Sequence, residues 1–350
     1  MIDWNSLWKD FLIGQGAAID DSGVHHFAEP DAHAQSRLAA DGDIVADLSH
    51  LALIRAHGVD AASFLQSQLS NDIHALGADH SQLSAYCNAK GRMLALFRVF
   101  LRDGAYYLQL PAVVQPATLK RLKMFVLRAK LTLAGADRDL IRIGLSGPNA
   151  ARLLSPLLSI LPERTDESRQ HEGITALRLP GPQPRFELIA DVDTAQRLWS
   201  VLSAQATAVG ASAWSWLDIA AGIPTVLPGA TEEFIPQMVN LDLLGGVSFE
   251  KGCYPGQEIV ARVHHLGRAK HRLYRAHVEG ATPPFPGGPI YTALSDQAAG
   301  WVVDAQPAPA GGYDLSAVIA LDQRAAPLHL GAPQGTLLIL QKPPYSEVVS

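Results

Sequence analysis

The helical period of this chain stops near residue 267. Beyond it Tyr274, Ala276 and Val278 alternate with Arg275 and His277, and the clusters Pro283-Pro284-Phe285-Pro286-Gly287-Gly288-Pro289 and Pro307-Ala308-Pro309-Ala310-Gly311-Gly312 separate short apolar runs at 300–303, 317–321 and 336–340. Alternation of period two, punctuated by Pro and Gly, cannot continue as helix and specifies a small antiparallel barrel or sandwich. The domain junction is expected at 265–270.

Upstream of that junction, strand-like and helical segments alternate. Strands are expected at 44–55, 83–87, 93–101, 106–110, 140–145, 174–179 and 185–190, and helices at 60–69, 118–126 and 194–208. Asn88-Ala89-Lys90-Gly91 reads as the turn of a hairpin. Strands in meander with helices returning across them predict α+β layers rather than a doubly wound parallel sheet. A chain of 350 residues should hold two or three such units.

At the amino terminus, Trp4, Leu7, Trp8, Phe11 and Leu12 recur at helical spacing and the first Lys comes only at position 9, after Asp3. This reads as an amphipathic helix rather than a signal peptide. No apolar run approaches the roughly 18 residues of a membrane span, so a soluble cytoplasmic protein is expected. The 28 Lys and Arg against 34 Asp and Glu leave a net charge of −6. That balance argues against bulk nucleic-acid or membrane-surface electrostatics, and leaves a local basic patch open. The two cysteines, Cys87 and Cys253, are not part of any C-x-x-C. Neither a disulfide framework nor a structural zinc site follows, a reducing compartment is the default, and a four-thiolate cluster would need more cysteines than the chain has.

The densest chemical signal lies in residues 240–262, which include Asn240, Asp242 and the run Lys251-Gly252-Cys253-Tyr254-Pro255-Gly256-Gln257-Glu258, ending at Arg262. Pro255 suits a first helical turn and Glu258 an early one, so a helix is expected from Tyr254 or Pro255 through Arg262. Cys253 would then sit at a helix N-terminus with Lys251 nearby, and both would favour its thiolate as nucleophile or soft ligand. Glu258 and Arg262, spaced i,i+4, are positioned to pair. The competing reading is a structural turn around a merely buried thiol.

The run 251–258 resembles the K-G-C-Y-x-G-Q-E signature of the YgfZ family, bacterial proteins similar to a mitochondrial iron-sulfur assembly factor. The resemblance extends to Gly58-Val59-Asp60 with Phe64-Leu65-Gln66-Ser67-Gln68-Leu69-Ser70-Asn71-Asp72, to Cys87-Asn88-Ala89-Lys90-Gly91-Arg92-Met93, to Gly222-Ile223-Pro224, and to Phe234-Ile235-Pro236-Gln237-Met238-Val239-Asn240. Their fold is similar to that of the glycine-cleavage T protein, a tetrahydrofolate-dependent aminomethyltransferase. The resemblance implies two interleaved α+β folate-binding subdomains over residues 1–265 and a C-terminal antiparallel β-barrel over 266–350, around a central hole where folate can lie.

It further implies a tetrahydrofolate or a derivative as ligand. The partners implied are iron-sulfur assembly proteins or client iron-sulfur enzymes, including radical enzymes that thiolate tRNA; direct nucleic-acid binding is not expected from the net charge, outside a local basic patch. On this reading Cys253 is the functional thiol, and Lys251, Tyr254, Gln257, Glu258, Arg262, Asn240, Lys90 and Arg92 line or shape the folate site. The alternative is a folate-dependent aminomethyltransferase or another one-carbon transferase. Against it, the hairpin positions where the T protein carries adjacent acids read Ala95 and Leu96, and a segment where it anchors folate with Glu reads Ala220. An apolar side chain cannot exchange a proton.

The run 262–278 carries Arg262, Arg268, Lys270, Arg272 and Arg275 with four histidines and no acid. It is either a solvated strand face or a surface for a folate tail, a protein or RNA. His264 and His265, as strand neighbours, would point to opposite faces and not share a metal. Trp214 and Trp216 read as core.

Overall fold

A computed structural model describes residues 4–19, 25–27, 31–265, 267 and 269–345. The chain folds into two compact units, each assembled from separated stretches of sequence. The first comprises 1–59, 76–81 and 99–217; the second comprises 60–75, 82–98 and 218–350.

The first unit is built on a six-stranded sheet ordered Ser168–His171, Ile174–Leu179, Arg185–Ala190, Ile141–Ser146, Ile44–Asp47 and Thr207–Val209. All neighbours are antiparallel except the last pair, which is parallel. One face packs on helices Trp4–Gly14 and Val192–Ser203 through Val45, Ile143, Phe186, Leu188, Leu198 and Trp199. The second helix starts where Asp191 accepts a hydrogen bond from the Thr194 amide at 2.8 Å, a side-chain N-cap. The first helix matches its expected amphipathic character. Trp8 and Leu12 are fully buried, Trp8 meets Trp199 edge-on with ring centroids 5.7 Å apart, and the Trp8 indole donates to Asp47 at 2.8 Å. The Arg185 guanidinium lies 4.0 Å over the buried Trp214 ring, so that tryptophan is core.

The second unit ends in a closed six-stranded barrel made from His271–Val278, Tyr313–Ala320, Ala298–Pro307, Pro289–Thr292, Leu328–Leu330 and Thr336–Gln341. The alternation read from the sequence sorts its residues. Tyr274, Ala276, Val278, Leu315, Ala317 and Ile319 fill the barrel interior, while Leu273, Val303 and Val318 face outward onto Val226, Phe234, Val239, Leu241 and Val260. The mixed α+β architecture with a C-terminal antiparallel barrel is therefore as expected from the change in period at residue 267.

The hairpin strands run Ser81–Cys87 and Met93–Arg102. The helix expected at 118–126 spans Gln115–Met124 instead, because Pro116, lacking an amide hydrogen, fits the first turn and moves the start upstream. Among the described residues no helix is long and apolar enough to cross a membrane.

Candidate functional site

The segment 234–265 is held in place by side chains whose polar atoms are consumed by backbone. A short 3-10 turn, Pro236–Val239, ends at Asn240, whose φ of 61° is left-handed, a conformation Asn tolerates better than most residues. The buried Asn240 amide donates to Leu273 O at 2.9 Å and to Tyr345 Oη at 3.2 Å, tying the turn to the first barrel strand. Two residues on, Asp242 accepts both arms of Arg272 at 2.6 and 3.0 Å, and the same guanidinium donates to Gln237 O at 2.8 Å. Such a bidentate pair fixes direction as well as distance. One of the basic residues whose run reads from sequence as either a solvated strand face or a binding surface is thus committed inside the fold.

Next comes a contact with the helix Ala61–Gln68. Asn71 donates to Gly245 O at 2.7 Å and to Leu83 O at 2.9 Å, and Ser70 Oγ donates to Gly246 O at 2.7 Å while accepting from the Ala85 amide at 2.8 Å. Lys251 completes the arrangement. Its ammonium, on a buried side chain, donates to three carbonyl oxygens: Gln66 at 2.6 Å, Leu69 at 2.5 Å and Asn71 at 3.1 Å. The Gln66 and Leu69 carbonyls belong to the last turn and the C-cap of that helix, where carbonyls lack intrahelical partners and the helix dipole also favours a cation; Asn71 lies just beyond. Burial pushes the Lys251 ammonium down to about 8, opposed by the nearby Asp72 carboxylate. Nζ also lies 5.2 Å from the centre of the Tyr254 ring.

Cys253 is exposed, in irregular chain between Lys251 and the helix Gln257–His265. This corrects the local expectation in two respects. The helix begins at Gln257 rather than at Tyr254 or Pro255, because Gly256 adopts φ +82° in a turn closed by Gln257 N donating to Tyr254 O at 3.1 Å. The Lys251 ammonium is bound to carbonyls and to the Tyr254 face instead of standing free beside the thiol. The two cysteines differ sharply in setting. Cys87 is buried, and burial pushes its thiol up to about 12. Tyr254 is buried too; burial raises its hydroxyl well above the usual tyrosine range, and Cys87 adds to the rise.

The hairpin turn meets this loop backbone to backbone. A Cβ on Gly256 would fall 2.5 Å from Asn88 O and 2.6 Å from Gly91 Cα, and one on Gly91 would fall 3.3 Å from Gly256 O. Asn88 Oδ1 accepts from the amides of Lys90 at 2.8 Å and Arg92 at 3.1 Å, and the Arg92 guanidinium donates to Glu233 O. Lys90, Cys253, Glu258 and Arg262 are all exposed, whereas Arg92 and Gln257 are half-buried. Gln257 Nε2 reaches Lys251 O at 3.4 Å. Glu258 and Arg262 do not form the ion pair their spacing allows; both ends are solvated on the helix surface, where such a pair gains little.

His264 and His265 lie on this helix, not on a strand as expected; the His264 ring stacks on Phe249 with centroids 3.7 Å apart. Among the described residues no group of three or more His, Cys, Asp or Glu is placed to hold a metal ion. Arg268 lies outside the described residues. Ala95 and Leu96 are buried on their strand and Ala220 on the helix Ala211–Ala221.

Ser70 and Asn71, which the sequence presents only as part of a segment resembling the family and assigns no role, tie together chain segments about 175 residues apart. Their signal would have been two small polar residues directly after an apolar helix face.

A family model described as the GCVT N-terminal domain matches residues 26–169. The chain is 34% identical over 249 residues to the tRNA-modifying protein YgfZ of Klebsiella pneumoniae (strain 342), covering 71% of this chain and 76% of that protein. It is 34% identical over 298 residues to the protein of the same name from Edwardsiella ictaluri (strain 93-146), covering 84% and 89%. The crystal structure of the glycine cleavage system aminomethyltransferase T from Bartonella henselae superposes with a TM-score of 0.78 over 95% of both chains at 16% identity, a likeness of fold. A backbone of the T-protein type, together with this degree of identity over most of both chains, means that the chain belongs to the YgfZ family of tRNA-modifying proteins.

Proposed function

We propose that this chain is a cytoplasmic, folate-binding member of its family that supports assembly or repair of iron-sulfur clusters in client enzymes, among them enzymes that thiolate tRNA, through the Cys253 thiol. The observation that carries the reading is the contrast between Cys253 and everything around it. Lys251, Tyr254 and Gly256 are fixed by three carbonyls, by burial and by a backbone contact, while the cysteine between them is presented to solvent. A thiol kept only for packing is normally buried, as Cys87 is. A rigid frame around an exposed thiol is what a transient ligand or nucleophile requires.

Tetrahydrofolate or a derivative is the ligand that the family's fold type suggests. Lys90 and Arg262 are exposed cations able to attract its glutamyl carboxylates, and Glu258 and Gln257 offer acceptors and donors on the same helix. Asn240, Arg92 and Lys251 serve by shaping the site, since their polar atoms are engaged with backbone. Aminomethyl transfer is disfavoured because Ala95 and Leu96 are buried and apolar where an acid is needed.

The decisive experiment is titration of the purified protein with tetrahydrofolate, its formyl and methyl derivatives and their polyglutamates. Saturable binding that tightens with added glutamates and weakens with salt is expected. Absence of binding to every form would refute the folate reading, and methylene-tetrahydrofolate formed from an aminomethylated lipoyl carrier would move the protein into the transferase class.

A further inference from the structure

Between Asp103 and Asp137 the chain carries Lys120, Arg121, Lys123, Arg128 and Lys130 and no acid at all, within a protein whose net charge is −6. Three of these cations, Lys120, Lys123 and Arg128, are exposed on the helix Gln115–Met124 and the chain just after it. The helix Gln115–Met124 turns Thr118 and Leu122 inward, so Lys120, Lys123 and Met124, at i, i+3 and i+4, face solvent. Lys120, Lys123 and Arg128 are exposed, and none of the three forms an ion pair among the described residues. Asp137, the next acid in the chain, is already bound by Arg142 at 3.1 Å and by Gln115 at 3.0 Å.

The helix dipole accounts for cations in the last turn, where it favours them by about 0.3–1 kcal/mol. It accounts for neither Arg128, beyond the helix, nor the apolar groups set among the charges. Phe125 is 44% exposed, Met124 58% and Leu127 87%. Leu127 also has φ +47°, a left-handed conformation unfavourable for a branched side chain, and its burial returns nothing for that strain.

We propose that this surface binds RNA, with Lys120, Lys123 and Arg128 contacting phosphates and Phe125 stacking on an unpaired base. Cations interleaved with an exposed ring are the arrangement by which proteins hold single-stranded segments and loops of RNA. A membrane surface is the poorer fit: a helix lying in a lipid interface must leave an apolar face free along its length, and here Leu122 is buried against the protein and Met124, at the helix end, is the one large apolar residue of the helix that is exposed. The choice of tRNA as the RNA rests on the functional reading above. The surface itself is independent of Cys253 and of folate.

The test uses the full chain and unfractionated bacterial tRNA in a fluorescence-anisotropy titration, with mixed phosphatidylglycerol–phosphatidylcholine vesicles run in parallel. Saturable tRNA binding is expected, with affinity falling steeply between about 50 and 200 mM salt. The triple variant Lys120→Glu/Lys123→Glu/Arg128→Glu should lose at least ten-fold in affinity and show a shallower salt dependence, by roughly 0.7–0.9 in log–log slope per lost phosphate contact. Phe125→Ala should weaken binding several-fold and leave the salt slope unchanged. All four side chains are exposed, so thermal melting should confirm folded variants, and folate titration of the same samples reports separately on the functional reading. No tRNA binding by the native protein, unchanged affinity in the triple variant, or a preference for the vesicles would each overturn the proposal.

Discussion

Gly91 and Gly256 touch through their backbones: a Cβ on Gly256 would lie 2.6 Å from the nitrogen and the Cα of Gly91. This contact joins the hairpin turn to the cysteine loop with no room for a side chain, and Gly256 further holds φ +82°. Gly256→Ala should therefore destabilise the protein by more than the ~1–2 kcal/mol of the left-handed conformation alone. Gly252→Ala, with nothing within 4 Å of the added carbon, should change stability by less than about 0.5 kcal/mol. Denaturant midpoints of the two variants make the comparison, and equal effects would show that the loop does not depend on this contact.

Lys251 acts as a clamp on the end of the helix Ala61–Gln68. Lys251→Met keeps the length and removes the charge, leaving the carbonyls of Gln66, Leu69 and Asn71 without their donor. A loss of about 2–4 kcal/mol is expected, in the range for breaking a buried polar network. Hydrogen exchange should locate the loosening at 66–71 and 245–254. A change confined to the alkylation rate of Cys253, with stability intact, would restore the role anticipated from sequence.

The two thiols should separate cleanly. Iodoacetamide should modify Cys253 in the native protein and reach Cys87 only after unfolding, because Cys87 is buried and its thiol is pushed up to about 12. Peptide mass spectrometry reads the site. Cys253→Ser should cost no more than about 1 kcal/mol, as an exposed position does, yet abolish support of iron-sulfur enzymes in a complementation assay. Full complementation would remove the thiol from the function.

Asp304 introduces a pH dependence of opposite sign to the usual carboxylate. Burial pushes it up to about 7, with Asp218 raising it further, against hydrogen bonds from Gln306 at 3.1 Å and the Ala305 amide at 2.8 Å. The folded state then binds a proton that the unfolded chain releases near 4, so stability contributed by this group is present at low pH and lost as pH rises from about 4 to about 7. Asp304→Asn should stay neutral throughout. Its melting temperature relative to the native protein should rise between pH 5 and pH 8, and a constant difference would place the titration elsewhere.

The sequence alone carried most of the secondary structure and the outline of the site. Two-residue alternation from Tyr274 onward was enough for the barrel, the Asn88–Gly91 turn for the hairpin, and the spacing of Trp8 and Leu12 for the first helix, because each depends on neighbours within a few positions. The run from Lys251 to Glu258 likewise marked the loop that presents Cys253.

What the sequence could not decide was which distant groups complete these local pieces. Lys251 reads as a neighbour of Cys253, two positions away, but its ammonium is taken by carbonyls about 180 residues earlier in the chain. Gly256 falls inside the helix expected from Tyr254 or Pro255, but beside Gly91 it is left-handed and the helix begins only at Gln257. Arg272 reads as part of a basic surface until Asp242 engages both of its arms. Local periodicity records which face of an element is apolar, whereas a buried donor or acceptor must be satisfied by whichever group the tertiary fold brings within about 3 Å. That choice exists only once the separated stretches of each unit have packed together.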